Sequence, residues 1–185
     1  MVTMLTIRVS GAHYNPAVTF AWMLKPGNGD HFPKVLGLLY ILAQYAGATL
    51  GALLAFFLTS TGGSLQILPG YVFQGMVLEI ICSFLMVLVY LILNEDDEEA
   101  GHQETKRDPS LMSMFWTVAF GCCLAMTKFI TNGSLNPAVA FGIILTMLMD
   151  GLNVGDFWIY LPMPFAGSII ALFFYQLIYL KTKSD

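Results

Sequence analysis

Charged positions along this chain cluster in short breaks between long apolar runs. Four runs, residues 34–58, 71–93, 110–130 and 157–180, carry few or no charges. Each meets the ~20 residues that a helix needs to cross ~30 Å of hydrocarbon, so the pattern predicts four membrane-spanning helices. Two shorter apolar pieces, 16–24 and 137–149, would reach only about half way across at ~1.5 Å per residue. They predict re-entrant half-helices. Between the runs, GSLQILPG predicts a connecting loop. NEDDEEAGHQETKRDP, residues 94–109, predicts a solvated acidic loop with too few apolar side chains to pack. Thr105 and Ser110 are candidate regulatory positions there, although a plain solvated loop explains the stretch without them.

Composition agrees with a lipid solvent. The 185 residues are 57% hydrophobic and 11% charged, with a mean hydropathy of +0.71, where a water-soluble domain carries about a quarter charged residues. A net charge of −4 without a basic stripe excludes nucleic acid as a partner. Cys82, Cys122 and Cys123 all fall inside apolar runs, which fits buried small hydrophobes better than a disulfide framework or a zinc site. MVTMLTIRV lacks the basic start and apolar core of a cleavable signal peptide. Alternating the spans places Arg8, Lys25, Lys34, Lys106, Arg107, Lys181 and Lys183 on one side and leaves Lys128 on the other. That bias marks the first side, and the carboxy-terminal KTKSD, as cytoplasmic.

One string occurs twice. SGAHYNPAVTF (residues 10–20) and NGSLNPAVAFG (132–142) share Asn-Pro-Ala-Val with a Phe two residues on, and Asn15 and Asn136 lie 121 positions apart (136 − 15). Asn is a preferred N-cap, and Pro suits the first helical position because no N–H is needed there. Asn15-Pro16-Ala17 and Asn136-Pro137-Ala138 therefore each start a short helix sharply after a Gly-containing, non-helical entry. Two half-helices entering from opposite faces bring their N-termini together near mid-membrane. Both positive dipole ends then oppose cations, hydrated protons included, while the Asn15 and Asn136 amides can offer donors to a neutral molecule. A single copy of the motif would mean little more than an ordinary helix start; two copies on two half-length helices carry the signal.

These residues closely resemble the aquaporins, or major intrinsic proteins, a family that includes the aquaglyceroporins. SGAHYNPAVTF is similar to the family's first signature, AQYAGATLGALLA to its third helix, GMVLEIICSFLMVLVY to its fourth, and WIYLPMPFAGSIIALFFYQLIY to its sixth. The resemblance implies an all-α membrane protein: an inverted-repeat helical bundle with two re-entrant half-helices, in a single membrane domain over residues 1–185. It also implies a homotetramer in the lipid bilayer that passively conducts water or small neutral solutes such as glycerol, with no cofactor. Asn15 and Asn136 would be the central pore donors, and the carbonyls of Gly11, Ala12, His13, Gly133, Ser134 and Leu135 a ladder of acceptors. His13 would lie beside the cytoplasmic half of the pore; taken alone, a single His in an apolar chain is as well explained as a packed structural residue. Glu79, a carboxylate inside a span, must be paired or hydrogen-bonded, and the resemblance implies that it braces a re-entrant loop. Gly47 and Gly51 are spaced for close helix approach. Asn132-Gly-Ser134 matches a glycosylation sequon at a place that has to fold into the membrane.

The chain departs from the family pattern at two places. Where the family carries an arginine after the second Asn-Pro-Ala, this chain has Val139, and the other filter positions fall near Leu124 and on Gly133. A Val, Leu and Gly constriction is wider and more apolar than a strict water filter, so glycerol, urea or ammonia join water as expected solutes. Ala140 stands where the glycerol branch usually has an aspartate, Tyr160 is water-like and Leu161 glycerol-like. The half-helix dipoles remain, so ion conductance is expected to stay low. Gly133 also replaces the cysteine of many mercury-sensitive relatives, which shifts any mercurial effect to Cys122 or Cys123. The second departure is length: 14 residues precede Asn15, whereas 65 separate Tyr71 from Asn136 (136 − 71). The family's first helix and nearly all of its second are missing from this sequence, residues 1–9 are expected to be a stub of the second helix, and the chain is expected to be truncated at its N-terminus.

Two other function classes compete with a channel. A non-conducting remnant would act only by associating with intact subunits. A secondary transporter with broken helices would use similar half-helix ends, but the spans hold no paired ionisable residues for ion coupling. Nothing in the spacing suggests a nucleophile–base pair or metal ligands, so an enzyme is not expected.

Overall fold

The computed structural model describes residues 2–26, 32–94 and 108–184, all helix, turn or extended segment without a strand among them. Residues 95–107, with most of the acidic loop, Thr105, Lys106 and Arg107, lie outside the described residues. In chain order the helices are α1 (Val2–Ser10), α2 (Pro16–Leu24), α3 (Lys34–Thr59), α4 (Val72–Leu93), α5 (Pro109–Thr127), α6 (Pro137–Met149), α7 (Phe157–Tyr160) and α8 (Pro162–Phe174). A π-helical turn, Tyr175–Tyr179, and α9 (Leu180–Ser184) complete the chain. Four helical segments are long and apolar enough to cross a membrane: Lys34–Thr59, Val72–Leu93, Ser110–Thr127 and Phe157–Thr182.

Local chemistry accounts for most boundaries. Lys25 is extended (φ −61°, ψ 126°) because Pro26 follows and disfavours the helical region for its predecessor, so α2 stops after nine residues. Asp108 caps α5 by accepting the Ser110 N–H at 2.9 Å, with Pro109 at the first helical position. The run expected at 110–130 stops being α-helical at Thr127, where Ile130 and Thr131 both turn their N–H groups back onto the Thr127 carbonyl. The run expected at 157–180 is interrupted at Leu161, between α7 and α8. The cause is Pro162, which lacks an N–H and crowds the residue before it. GSLQILPG is more than a connector: Leu65 and Ile67 are buried in it, and the Leu68 N–H donates to the Ile130 carbonyl at 2.8 Å.

Each half-helix packs across the repeat boundary. The first, α2, lies against α8 and α3; the second, α6, lies chiefly against α3. Close approach relies on missing side chains: a Cβ at Gly142 of α6 would come within 2.7 Å of the Ala48 carbonyl of α3. Two apolar clusters result. Val18 and Ala21 of α2 pack with Cys82, Met86, Val87, Tyr90 and Leu91 of α4, Cys123, Leu135, Ala171 and Tyr175. Ala140, Ile144 and Met147 of α6 pack with Leu65, Ile67, Ile159 and Tyr160. By contrast, α3 buries only Gly37 fully. Gly47 and Gly51, expected to seat another helix, meet no atom within 4 Å of a built Cβ among the described residues.

Candidate pore at the meeting of two half-helices

Both asparagines sit at N-caps in extended backbone, Asn15 at φ −146° and Asn136 at φ −139°. Asn15 Oδ1 accepts from Ala17 N–H at 2.8 Å. Asn136 Oδ1 accepts from Ala138 N–H at 3.1 Å and Val139 N–H at 3.5 Å. The amides then cross. Asn15 Nδ2 donates to the Leu135 carbonyl at 2.8 Å, and Asn136 Nδ2 donates to the Tyr14 carbonyl at 2.8 Å. Leu135 and Tyr14 are counterparts: each immediately precedes its Asn, and each has positive φ, 54° and 47°. This conformation costs a non-glycine residue ~1–2 kcal/mol, and it aims each carbonyl at the opposite loop. A second Asn15 hydrogen points to Met86 Sδ at 4.0 Å, so its amide is engaged on both sides. Asn136 has one amide hydrogen on Tyr14 and keeps the other uncommitted among the described residues, since an amide carries two.

The expected carbonyl ladder is partly occupied by the protein. Gly11 O accepts from the Tyr90 hydroxyl at 2.8 Å, and Leu135 O holds Asn15. Ala12, His13, Gly133 and Ser134 remain as candidate acceptors for a solute.

Glu79 lies fully buried on α4. It accepts from Thr131 Oγ1 at 2.9 Å, while its Oε2 has no partner among the described residues. Thr131 in turn accepts from Gly133 N–H at 3.0 Å through Oγ1 and from the Tyr160 hydroxyl at 2.6 Å through its carbonyl. The carboxylate thus ties α4 to the entry of the second half-helix. Gly133 faces this tie: a Cβ there would overlap Glu79 Oε1.

His13 is buried, ringed by Phe32, Tyr90, Tyr40 and Trp22 with centroids 5.3, 5.4, 5.5 and 6.2 Å away. Its Nδ1 lies 3.1 Å from Thr19 Oγ1. That hydroxyl has one hydrogen, which it gives to the Asn15 carbonyl at 3.2 Å, and it accepts from Gln44 Nε2 at 2.8 Å. Nδ1 of the neutral ring is therefore the donor to Thr19, and Nε2 is left as an acceptor. Gln44 Oε1 is buried without a partner among the described residues.

A cavity of about 500 Å³ opens between the half-helix ends and α3, lined by Ser10, His13, Tyr14, Ala138 and Val139 together with Tyr40, Gln44 and Ala48. It brings His13 and Val139 together. Leu124 is not among its lining residues but packs against the cluster around α4, and Gly133 lies at Glu79. Sequence reading missed Tyr14, Thr19 and Gln44 as participants. Tyr14, inside the repeated motif, is 43% exposed and pairs its hydroxyl with Thr6 Oγ1 at 2.5 Å.

The profile of the major intrinsic protein family matches residues 1–175. A probable aquaporin of Archaeoglobus fulgidus is 32% identical over 181 residues, covering 91% of this chain and 68% of the relative. A probable aquaporin of rice, Oryza sativa, is 31% identical, covering 93% of this chain and 64% of the relative. Rat aquaporin-6 is 30% identical, covering 92% of this chain and 58% of the relative. The chain thus spans about two thirds or less of these relatives' lengths. In fold it is similar to the aquaglyceroporin of Plasmodium falciparum, with a TM-score of 0.74 and 20% identity over 98% of this chain and 78% of that one. With four spans long and apolar enough for a bilayer, it is an integral membrane protein, and it belongs to the major intrinsic protein family, the aquaporins, which are passive channels and not enzymes.

Proposed function

We propose that this chain is a subunit of a passive channel for water and small uncharged solutes of the glycerol class, assembled as a homotetramer with the first Asn-Pro-Ala entering from the cytoplasm. The observation that carries the reading is the reciprocal lock of the two half-helix N-termini, Asn15 to Leu135 and Asn136 to Tyr14. It fixes two positive dipole ends at one level beside the cavity, an arrangement that favours neutral permeants and opposes cations. Asn136 supplies a donor, and the Ala12 and His13 carbonyls and His13 Nε2 supply acceptors. Such a set fits a solute carrying hydroxyl or amine groups.

Val139, 40% exposed and on the cavity wall, is the proposed selectivity position, with Leu124 and Gly133 as its sequence-derived companions. Val139→Arg places a long cation at the cavity. In proteoliposomes it is expected to lower glycerol permeability roughly tenfold, an energy of ~1.4 kcal/mol, while water permeability falls less. Ion current is expected to stay at background in both proteins. An unchanged glycerol-to-water ratio would remove Val139 from the filter, and a substantial cation current in the unmutated protein would refute the dipole barrier.

A second reading, a non-conducting subunit that only associates with intact relatives, is favoured by one observation. A Cβ built at Gly47 or Gly51 of α3 meets no atom within 4 Å among the described residues, which leaves room there for another helix beside the cavity that Gly47 also lines. Proteoliposomes holding this chain alone that swell no faster than protein-free ones, while the chain co-purifies with a full-length relative, would select that reading.

A further inference from the structure

We infer that Thr19 is a positioning residue for the permeant: by accepting the Nδ1 proton of His13 it holds Nε2 as an open acceptor on the cavity, which then prefers solutes that donate a hydrogen bond. The solute preference rests on the channel reading; the geometry does not. Thr19 is fully buried on α2. Its Oγ1 lies 3.2 Å from the Asn15 carbonyl, 2.8 Å from Gln44 Nε2 of α3 and 3.1 Å from His13 Nδ1. A carbonyl only accepts and an amide nitrogen only donates. The one hydroxyl hydrogen therefore goes to Asn15, one lone pair takes the Gln44 N–H, and the other is left for Nδ1–H. A neutral ring carries a single N–H, so Nε2 carries none.

The far side of the ring is kept clear. A Cβ at position 11 would come within 3.1 Å of His13 Nε2, so Gly11 leaves that nitrogen its space. The Tyr90 hydroxyl, which would lie 3.2 Å from the same Cβ, gives its one hydrogen to the Gly11 carbonyl at 2.8 Å. It has none left for Nε2. His13 lines the cavity with Tyr14, Tyr40 and Val139, and a buried acceptor there is costly until a solute or water supplies the donor.

The sense of this hydrogen bond matters to a solute. Asn136 offers a donor at the half-helix ends, and His13 offers an acceptor. A polyol or a small amide uses both. In the other tautomer the ring would present a second donor, and a hydroxyl hydrogen would lose its acceptor. Water is small enough to turn and accept from Nε2–H, whereas glycerol, with several groups to satisfy together, is less free to turn.

His31→Gln with His102→Gln leaves His13 as the one histidine of the chain. In that background, NMR of the isotope-labelled imidazole nitrogens in detergent at neutral pH reads the tautomer without any flux. With Thr19 in place, Nδ1–H is expected to dominate roughly tenfold, the worth of one well-made hydrogen bond. Thr19→Ser keeps that ratio, and Thr19→Val shifts the ring to Nε2–H. In proteoliposomes Thr19→Val is expected to lower the glycerol-to-water permeability ratio roughly two- to tenfold, and Thr19→Ser to restore it; a merely structural loss would lower both permeabilities alike. Circular dichroism checks each fold first, and Thr19→Ala replaces the valine variant if that one unfolds. Nε2–H in the chain that keeps Thr19, or a tautomer indifferent to Thr19→Val, overturns the inference. So does a switched tautomer with an unchanged permeability ratio. Absence of flux in every variant would refute the channel reading and the solute preference together, while NMR would still decide which nitrogen Thr19 protonates.

Discussion

Gly167→Ala is expected to destabilise the protein by about 1–3 kcal/mol, the usual range for overpacking, while Gly47→Ala leaves it unchanged or up to about 1 kcal/mol more stable. The two glycines occupy matching places in the two repeats, Ala-Gly-Ala at 46–48 and Ala-Gly-Ser at 166–168. Their surroundings differ. A Cβ at Gly167 would lie 2.9 Å from Phe84 N and from Ser83 Cβ, and closer still to the Ile80 carbonyl. These are mostly backbone atoms of α4 and cannot swing aside, so α8 would have to back away from the helix with which it makes its broadest contact. At Gly47 a Cβ meets nothing within 4 Å. Both variants share the helix-propensity gain of Gly→Ala, ~1 kcal/mol, so their difference isolates the contact. Unfolding of the 185-residue chain in mixed micelles, followed by circular dichroism, gives both values. Equal effects at the two positions would show that the α4–α8 approach is not set by Gly167.

That contrast also shows what the sequence could reveal. Both half-helices were legible, because Asn capping and Pro at the first helical position act within a few residues of the motif. The spans were legible because lipid demands long apolar runs. The break at Leu161 had its signal in Pro162, but an apolar run of that length outweighed it in the reading. What could not be read were the contacts between positions far apart in the chain. Asn15 reaches Leu135 and Asn136 reaches Tyr14 only because two loops fold to one point. The left-handed backbone at Tyr14 and Leu135 has no local signal in such residues, which rarely adopt it. Small-xxx-small spacing marked Gly47 and Gly51 as a helix seam, yet spacing cannot say whether a helix fills it. Thr19 and Gln44 passed as ordinary span residues, although together they leave His13 Nε2 the ring's acceptor.

Replacing Asn136 should separate two jobs that one side chain performs. Asn136→Ala removes the cap on Ala138 and Val139 and also the donor to the Tyr14 carbonyl. A lost cap costs about 0.5–2 kcal/mol, and the part-buried Tyr14 carbonyl, left without its donor, costs at most the ~1–3 kcal/mol of a buried unpaired group. Together they give an expected loss of roughly 2–4 kcal/mol. Asn136→Ser keeps a capping oxygen but is too short to reach Tyr14, so it should recover about 1 kcal/mol of that loss. Asn15 sits in the matching arrangement, with its cap on Ala17 and its donor on Leu135. Each carbonyl acceptor immediately precedes the opposite Asn, so loosening one loop misplaces both bonds. The double variant Asn15→Ser with Asn136→Ser should therefore lose less than the two singles added, by about 0.5–3 kcal/mol, the coupling of residues in one network. Strict additivity would mean that the loops hold their geometry independently. The crossed amides would then report the fold instead of fixing it, and the proposed barrier to cations would rest on the helix packing behind each loop.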